Sequence, residues 1–244
     1  MPSVALAYHD VVSGDERHTT GFTGPGPDRY KLDPARFAEQ LDLVRGASVE
    51  LTFDDGGRSA LDTIAPLLEE RGLRGRFFVV TALLGGAGFL DRAGVRELVA
   101  RGHAVGSHSH THPVLTRLAD DEIVAEWRRS REILEELLDA SVPTASVPRG
   151  YFERRVARAA AAAGYMTLYT SEPWTRVRPL EGIEVRGRFA VTAATPTRRV
   201  GALARRSPAA VAGAQVAWQA RRGAKLVLGA GYERLRQAIL SGRG

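Results

Sequence analysis

From Ser3 to Phe189, short apolar runs alternate with longer helical patterns, and a glycine closes helix after helix. Ser3–His9 reads as a strand and Pro34–Arg45 as a helix with Asp33 at its N-cap. Val49–Phe53 is a second strand, followed by a helix over Ser59–Arg71 that stops at Gly72. Arg76–Thr81 is a third strand, and the helix Arg92–Arg101 again stops at a glycine, Gly102. His103–Ser107, Thr144–Val147, Met166–Thr170 and Ile183–Phe189 continue the strands, separated by a long helix from Asp121 to Leu138 and a helix over Glu153–Ala163. Strand-then-helix repetition of this kind predicts a parallel α/β sheet. Six or seven units close a ring more naturally than they make a short open sheet. The expected fold is therefore a distorted (β/α) barrel of about seven strands over residues 1–195, with an open doubly wound sheet as the alternative. Residues 196–244 read as an Arg- and Ala-rich helical extension packed on the barrel, ending in a helix over Tyr232–Leu240. Ser13–Arg29 is the only long irregular segment.

Composition narrows the chemistry. The 244 residues contain no cysteine, which excludes a disulfide framework and any thiolate metal site, so a metal would have to be held by His, Asp or Glu. The N-terminal run from Met1 to His9 has no basic n-region and reads as a strand, and no stretch approaches the ~20 apolar residues of a membrane helix, so the expected location is cytoplasmic. The net charge of +6 is concentrated late, at Arg198, Arg199, Arg205, Arg206, Arg221, Arg222 and Lys225. We read these as the solvated face of Arg-rich helices, with an anionic membrane surface as a secondary partner and no nucleic acid expected.

The residues that carry chemistry follow predicted strands, where α/β barrels build their sites. Asp54-Asp55-Gly56-Gly57 puts two carboxylates at a strand end: one can bind a metal while the other stays free as a base; an Asp-Gly turn is the plainer alternative. Three of the six histidines fall at His108, His110 and His112. Two imidazoles at i and i+4 on a helical turn can converge on one metal, and a His pair with one carboxylate is a common hydrolytic zinc set with an open position for water. Tyr169 to Trp174 offers an aromatic wall suited to a sugar.

Thr52-Phe53-Asp54-Asp55-Gly56 together with His108-Ser109-His110-Thr111-His112-Pro113 resembles the polysaccharide deacetylase family, the NodB-homology group of carbohydrate esterases. Ala7-Tyr8-His9, Arg101 to Gly106, and Ser146-Val147-Pro148-Arg149-Gly150-Tyr151 are similar as well, and the likeness runs in order from Ser3 to Trp174. The resemblance implies Asp54 as general base and Asp55, His108 and His112 as ligands of a divalent metal, zinc first, with cobalt, nickel or iron as alternatives. His110 falls on a variable position of the motif. A backbone N–H of the Pro148–Tyr151 loop, which includes Arg149 and Gly150, would help hold the oxyanion. The implied reaction is removal of an N-acetyl group from an amino sugar, or of an O-acetyl group, on a carbohydrate or small acetylated substrate.

Two departures stand out. Ser146 occupies the place where many members carry an arginine that orients the base, and no histidine follows His112 to protonate the leaving group. His9 is the candidate replacement acid, with a hydrogen-bonded core histidine as the alternative. Trp174 and Arg186 are candidate substrate contacts; Arg186 and Arg188 are candidates either to meet an anionic substrate or to replace the missing arginine. A barrel that binds carbohydrate or metal without turnover is the competing function, and a basic adaptor docked through its C-terminal helices is a third.

Overall fold

The computed structural model describes residues 4–228, so the expected helix over Tyr232–Leu240 lies outside the described residues. Seven parallel strand positions are built in chain order. β1 (Val4–Tyr8) pairs with β2 (Val49–Phe53), and β2 with β3 (Gly75–Val79). The ladder continues through β4 (Ala104–Ser107), β5 (Thr144–Ser146) and β6 (Thr167–Tyr169). Between them run the short α1 (Pro25–Asp28), α2 (Pro34–Val44), α3 (Ala65–Glu69), α4 (Arg92–Ala100), α5 (Asp120–Leu138) and α6 (Arg154–Ala162). Asp33 caps α2 through its carboxylate, which accepts from the Ala35 and Arg36 N–H groups.

The seventh position closes the ring. After a hairpin whose first strand, β7 (Arg178–Leu180), pairs antiparallel with β8 (Ile183–Arg186), β8 pairs in parallel with β6. Two residues later β9 (Phe189–Ala190) pairs in parallel with β1. The expected strand Ile183–Phe189 is thus one bent strand whose first half lies beside β6 and whose second half lies beside β1. The bend is at Gly187, where an added Cβ would stand 2.3 Å from the Glu172 carbonyl oxygen; only a glycine lets the chain after β6 pass this close.

Side chains alternate across each strand. Leu6, Tyr8, Leu51, Phe53, Phe77 and Val79 face outward and pack with Phe37, Leu41, Ile64, Leu68, Val95 and Leu98 from the helices. A second layer joins Leu168 and Val185 to Ile123, Trp127, Val156 and Ala160. The alternate positions Glu50, Thr52, Arg76, Ser146, Tyr169 and Arg188 bond to one another inside the ring, so the barrel interior is polar. At the far end α7 (Thr197–Ala204) buries Val200 and Leu203 in the main core beside α2, and α8 (Pro208–Leu228) follows it.

Three local expectations are corrected. The Ser59–Arg71 helix begins with a wide π turn over Ala60–Ile64 before α3, and the segment Ser13–Arg29 contains a 3-10 turn over Gly14–Thr19 as well as α1. The hairpin strand β7 has no forerunner in the sequence reading. No helix among the described residues is long and apolar enough to cross a membrane.

Candidate functional site

Asp54 and Asp55 follow β2 directly, with the Asp54 N–H bonded to the Tyr8 carbonyl at 3.0 Å. Asp55 then adopts a left-handed backbone, φ 76°. Four of the seven non-glycine residues with positive φ among the described residues are Asp55, Ser109, His112 and Arg149. Each such backbone costs on the order of 1–3 kcal/mol, so strain is concentrated where these loops meet.

The 108–112 segment is not a helical turn as expected. β4 ends at Ser107, and the left-handed residues Ser109 and His112 fold the loop back on itself. The Ser109 hydroxyl accepts from the His112 N–H at 3.1 Å, and the Glu126 carboxylate of α5 accepts from the His110 and Thr111 N–H groups. This loop brings His108 and His112 together without helical spacing. Their Nε2 atoms each lie 3.4 Å from Asp55 Oδ1, and the three potential ligand atoms all lie within 4.8 Å of one another. His110 turns away, its Nδ1 2.9 Å from the Thr81 hydroxyl.

The protonation pattern of this trio favours a cation. His108 Nδ1 lies 3.0 Å from the Ser146 carbonyl, which can only accept, so Nδ1 carries the proton. Burial holds the His108 imidazole near pKa 4, so it is neutral and its Nε2 presents a lone pair to Asp55. Burial pushes the Asp55 carboxyl upward, but His112, His9 and His108 outweigh it and hold it well below the usual range. Its Oδ1 is buried and has no hydrogen-bond partner among the described residues, and no Lys or Arg pairs with it there. A buried anion facing two imidazole nitrogens, with no lysine or arginine on it among the described residues, is a cradle that a divalent ion fits.

Asp54 is built differently. Arg188, fully buried, grips it with both arms, Nη1 to Oδ1 at 2.7 Å and Nη2 to Oδ2 at 2.8 Å. The same guanidinium donates to Ser146 Oγ at 2.6 Å, Thr52 Oγ1 at 3.1 Å and the Thr170 carbonyl at 3.2 Å, and lies over the rings of Phe78 and Tyr169. Burial raises the Asp54 carboxyl, but Arg188 and His108 outweigh it and the net shift is downward. Asp54 Oδ2 stands 4.0 Å from His108 Nε2, so an ionised carboxylate lies at the edge of the three-residue cradle. The small Ser146 leaves room for a guanidinium that arrives from the closing strand instead of from β5.

Other expected residues divide into two groups. Near the cradle, His9 is half-buried at the end of β1 and stacked on Tyr30 at 4.5 Å; its Nδ1 is buried without a hydrogen-bond partner among the described residues. Pro148 is buried, Arg149 reaches the His112 carbonyl at 3.3 Å, and Arg149 and Gly150 are both left-handed ahead of Tyr151. Away from it lie Trp174 and Arg186. Trp174 packs on Trp218 of α8 and under Arg178, and Arg186 pairs with Glu50 and Glu184. Both line a crevice with Ala5 and Glu50, and Glu50 sits four residues, roughly 13 Å, down β2 from Asp54. The structure does not bring them to the cradle, because the chain beyond β6 leaves the ring toward α8. Phe22, by contrast, stacks on His112 with ring centroids 4.8 Å apart, a contact no sequence signal announced.

Residues 44–168 match the family model described as polysaccharide deacetylase. The putative polysaccharide deacetylase YxkH of Bacillus subtilis is 25% identical over 180 residues, which cover 69% of this chain and 64% of that protein. The chitooligosaccharide deacetylase of Sinorhizobium fredii is 32% identical over 152 residues, covering 57% of this chain and 68% of the relative. Two fungal chitin deacetylases are matched over only 26% and 23% of their length. Among solved structures, IcaB from Ammonifex degensii superposes with a TM-score of 0.67 at 23% identity, over 83% of this chain and 97% of that one, a likeness of fold.

Proposed function

The chain belongs to the polysaccharide deacetylase family, and on that footing we propose that it is a metal-dependent hydrolase that removes acetyl groups from a carbohydrate substrate. The observation that carries the proposal is the buried, unpartnered Asp55 Oδ1 facing two imidazole nitrogens, with the ion-paired Asp54 beside it. Asp55, His108 and His112 would hold the ion, with zinc the first choice and cobalt, nickel or iron able to substitute. When bound, such an ion polarises water and the acetyl carbonyl.

This chain's own residues then have separate tasks. Asp54, kept ionised by Arg188, accepts a proton from the attacking water at the remaining lone pair of Oδ2, since Oδ1 already accepts from Arg188 and the Ser146 hydroxyl. Arg188 stays charged throughout and fixes the carboxylate plane, so no reorientation accompanies the proton transfer. His9 returns a proton to the departing amine or alcohol; its ring is held by Tyr30 and not by a strong acceptor. The left-handed turn at Arg149 and Gly150 supports backbone donors at the oxyanion. The chitooligosaccharide deacetylase of Sinorhizobium fredii and a peptidoglycan-N-acetylglucosamine deacetylase of Listeria monocytogenes, 26% identical over 131 residues, are named for acetamido sugars, which favours such a sugar over an ester here.

The test combines elemental analysis with acetate release from a generic acetyl ester and from chitin oligomers. The proposal expects about one metal per chain and release that stops with a chelator. Metal without any release would favour a barrel that binds without turnover, the reading motivated by the absence of a histidine after His112. No metal at all would overturn the proposal.

A further inference from the structure

The two imidazoles of the cradle are held by different means. His108 is fixed by a hydrogen bond from Nδ1 to the Ser146 carbonyl, the usual way a metal-binding histidine is oriented. His112 has no such support: its Nδ1 is buried and has no hydrogen-bond partner among the described residues. Its backbone is left-handed, and its side chain keeps 11% exposure where that of His108 keeps 2%. The neighbour that covers it is Phe22, whose ring lies nearly parallel to the imidazole, 28° apart in plane at 4.8 Å. Phe89 meets Phe22 in an edge arrangement with centroids 5.2 Å apart.

Phe22 is not a loose loop residue. The adjacent Gly21 N–H bonds the Gly88 carbonyl at 2.7 Å, and the Gly88 carbonyl also accepts from the Arg58 N–H. One residue earlier, the Thr20 hydroxyl donates to the buried Asp10 carboxylate and accepts from the Ser59 N–H. Two surface loops are thereby pinned together, and the product of that pinning is a ring face laid on His112.

We propose that Phe22 is the positioning residue of His112, replacing the missing hydrogen bond with an aromatic stack, and that it sets the affinity of the site for its divalent ion. The inference rests on the Asp55-His108-His112 reading of the metal site. An imidazole that donates a lone pair to a cation becomes electron-poor, and an electron-poor ring is attracted to an aromatic face, so the stack strengthens when the ion is bound.

The experiment is a competition titration of the purified full chain with zinc and a chromophoric chelator. The proteins are wild type, Phe22→Leu, Phe22→Ala, Phe22→Tyr and Phe89→Leu, with far-UV circular dichroism of each metal-free protein as a folding control. Leucine keeps apolar bulk but has no ring face. We expect Phe22→Leu and Phe22→Ala to weaken zinc binding by about 10-fold or more, the range for lost support of a ligand. Phe22→Tyr is expected to bind as wild type does, and Phe89→Leu, which leaves the Phe22 face in place, to change affinity much less. Wild-type affinity in folded Phe22→Leu overturns the proposal, as does an equal loss in Phe22→Tyr or Phe89→Leu. A wild-type chain that binds no zinc, cobalt, nickel or iron overturns the metal site itself and so removes the ground of the inference.

Discussion

Replacing Arg188 with methionine tests the site at its deepest point. Methionine keeps the length and the apolar contact with Phe78 and Tyr169 but removes five donated hydrogen bonds, two of them to Asp54. Removing one member of a buried ion pair costs about 3–5 kcal/mol, because the remaining charge has no counter-ion. Two outcomes follow from the balance at Asp54. Burial raises its carboxyl while Arg188 is the foremost group holding it down, so without Arg188 the burial prevails and the carboxyl becomes harder to ionise. The acid limb of the rate–pH profile should therefore move to higher pH, and the rate at neutral pH should fall by on the order of 10²-fold or more. Stability is read from urea unfolding, activity from acetate release across pH. Asp54→Asn in the same background removes the stranded charge, so the double variant should recover much of the lost stability while staying inactive. A methionine variant that loses less than about 0.5 kcal/mol, the scale of a surface change, and keeps the wild-type acid limb would refute the assignment of Arg188 as the partner that keeps the base ionised.

Two further outcomes are expected. His112→Ala should lose the divalent ion as measured by elemental analysis, since two remaining ligands hold it poorly, whereas His110→Ala should retain it because His110 is bonded to Thr81. His103 is buried, accepts from the Gly75 N–H at Nδ1 and faces Glu69 with Nε2; burial puts its pKa below the ordinary value, so the fold favours the neutral ring. Its contribution to stability is then complete above the unfolded pKa of about 6.5 and is lost as pH falls from there through the lower folded pKa, so His103→Gln should flatten the dependence of the urea midpoint on pH below about 6.5.

The strands were legible because their apolar runs are short and their helices end at glycine; Val49–Phe53 appears with the bounds the pattern gave it. The convergence of Asp55, His108 and His112, a group that could hold a metal ion, was legible because they lie in two compact segments. What escaped was whatever depends on the return of distant chain. Arg186 and Arg188 were both candidates to replace the missing arginine, but nothing local told them apart: it is Arg188 that meets Asp54, across 134 residues. Ser146 looked like a gap in a motif; it is the space through which the guanidinium enters. Phe22 and Glu126 act on the histidine loop from a surface segment and a helix flank, where phenylalanine and glutamate are unremarkable. Trp174 could be read from its place in a barrel loop either as a sugar contact or as packing, and its ring packs on Trp218.

The bent strand has a consequence for the site. The two leading motifs end at Pro113, yet Asp54 finds its counter-ion only at Arg188, between the half-strand beside β6 and the half-strand beside β1. The segment that seals the ring is therefore also the one that delivers the counter-ion of the proposed base, so a barrel left open at this seam lacks the buried ion pair as well.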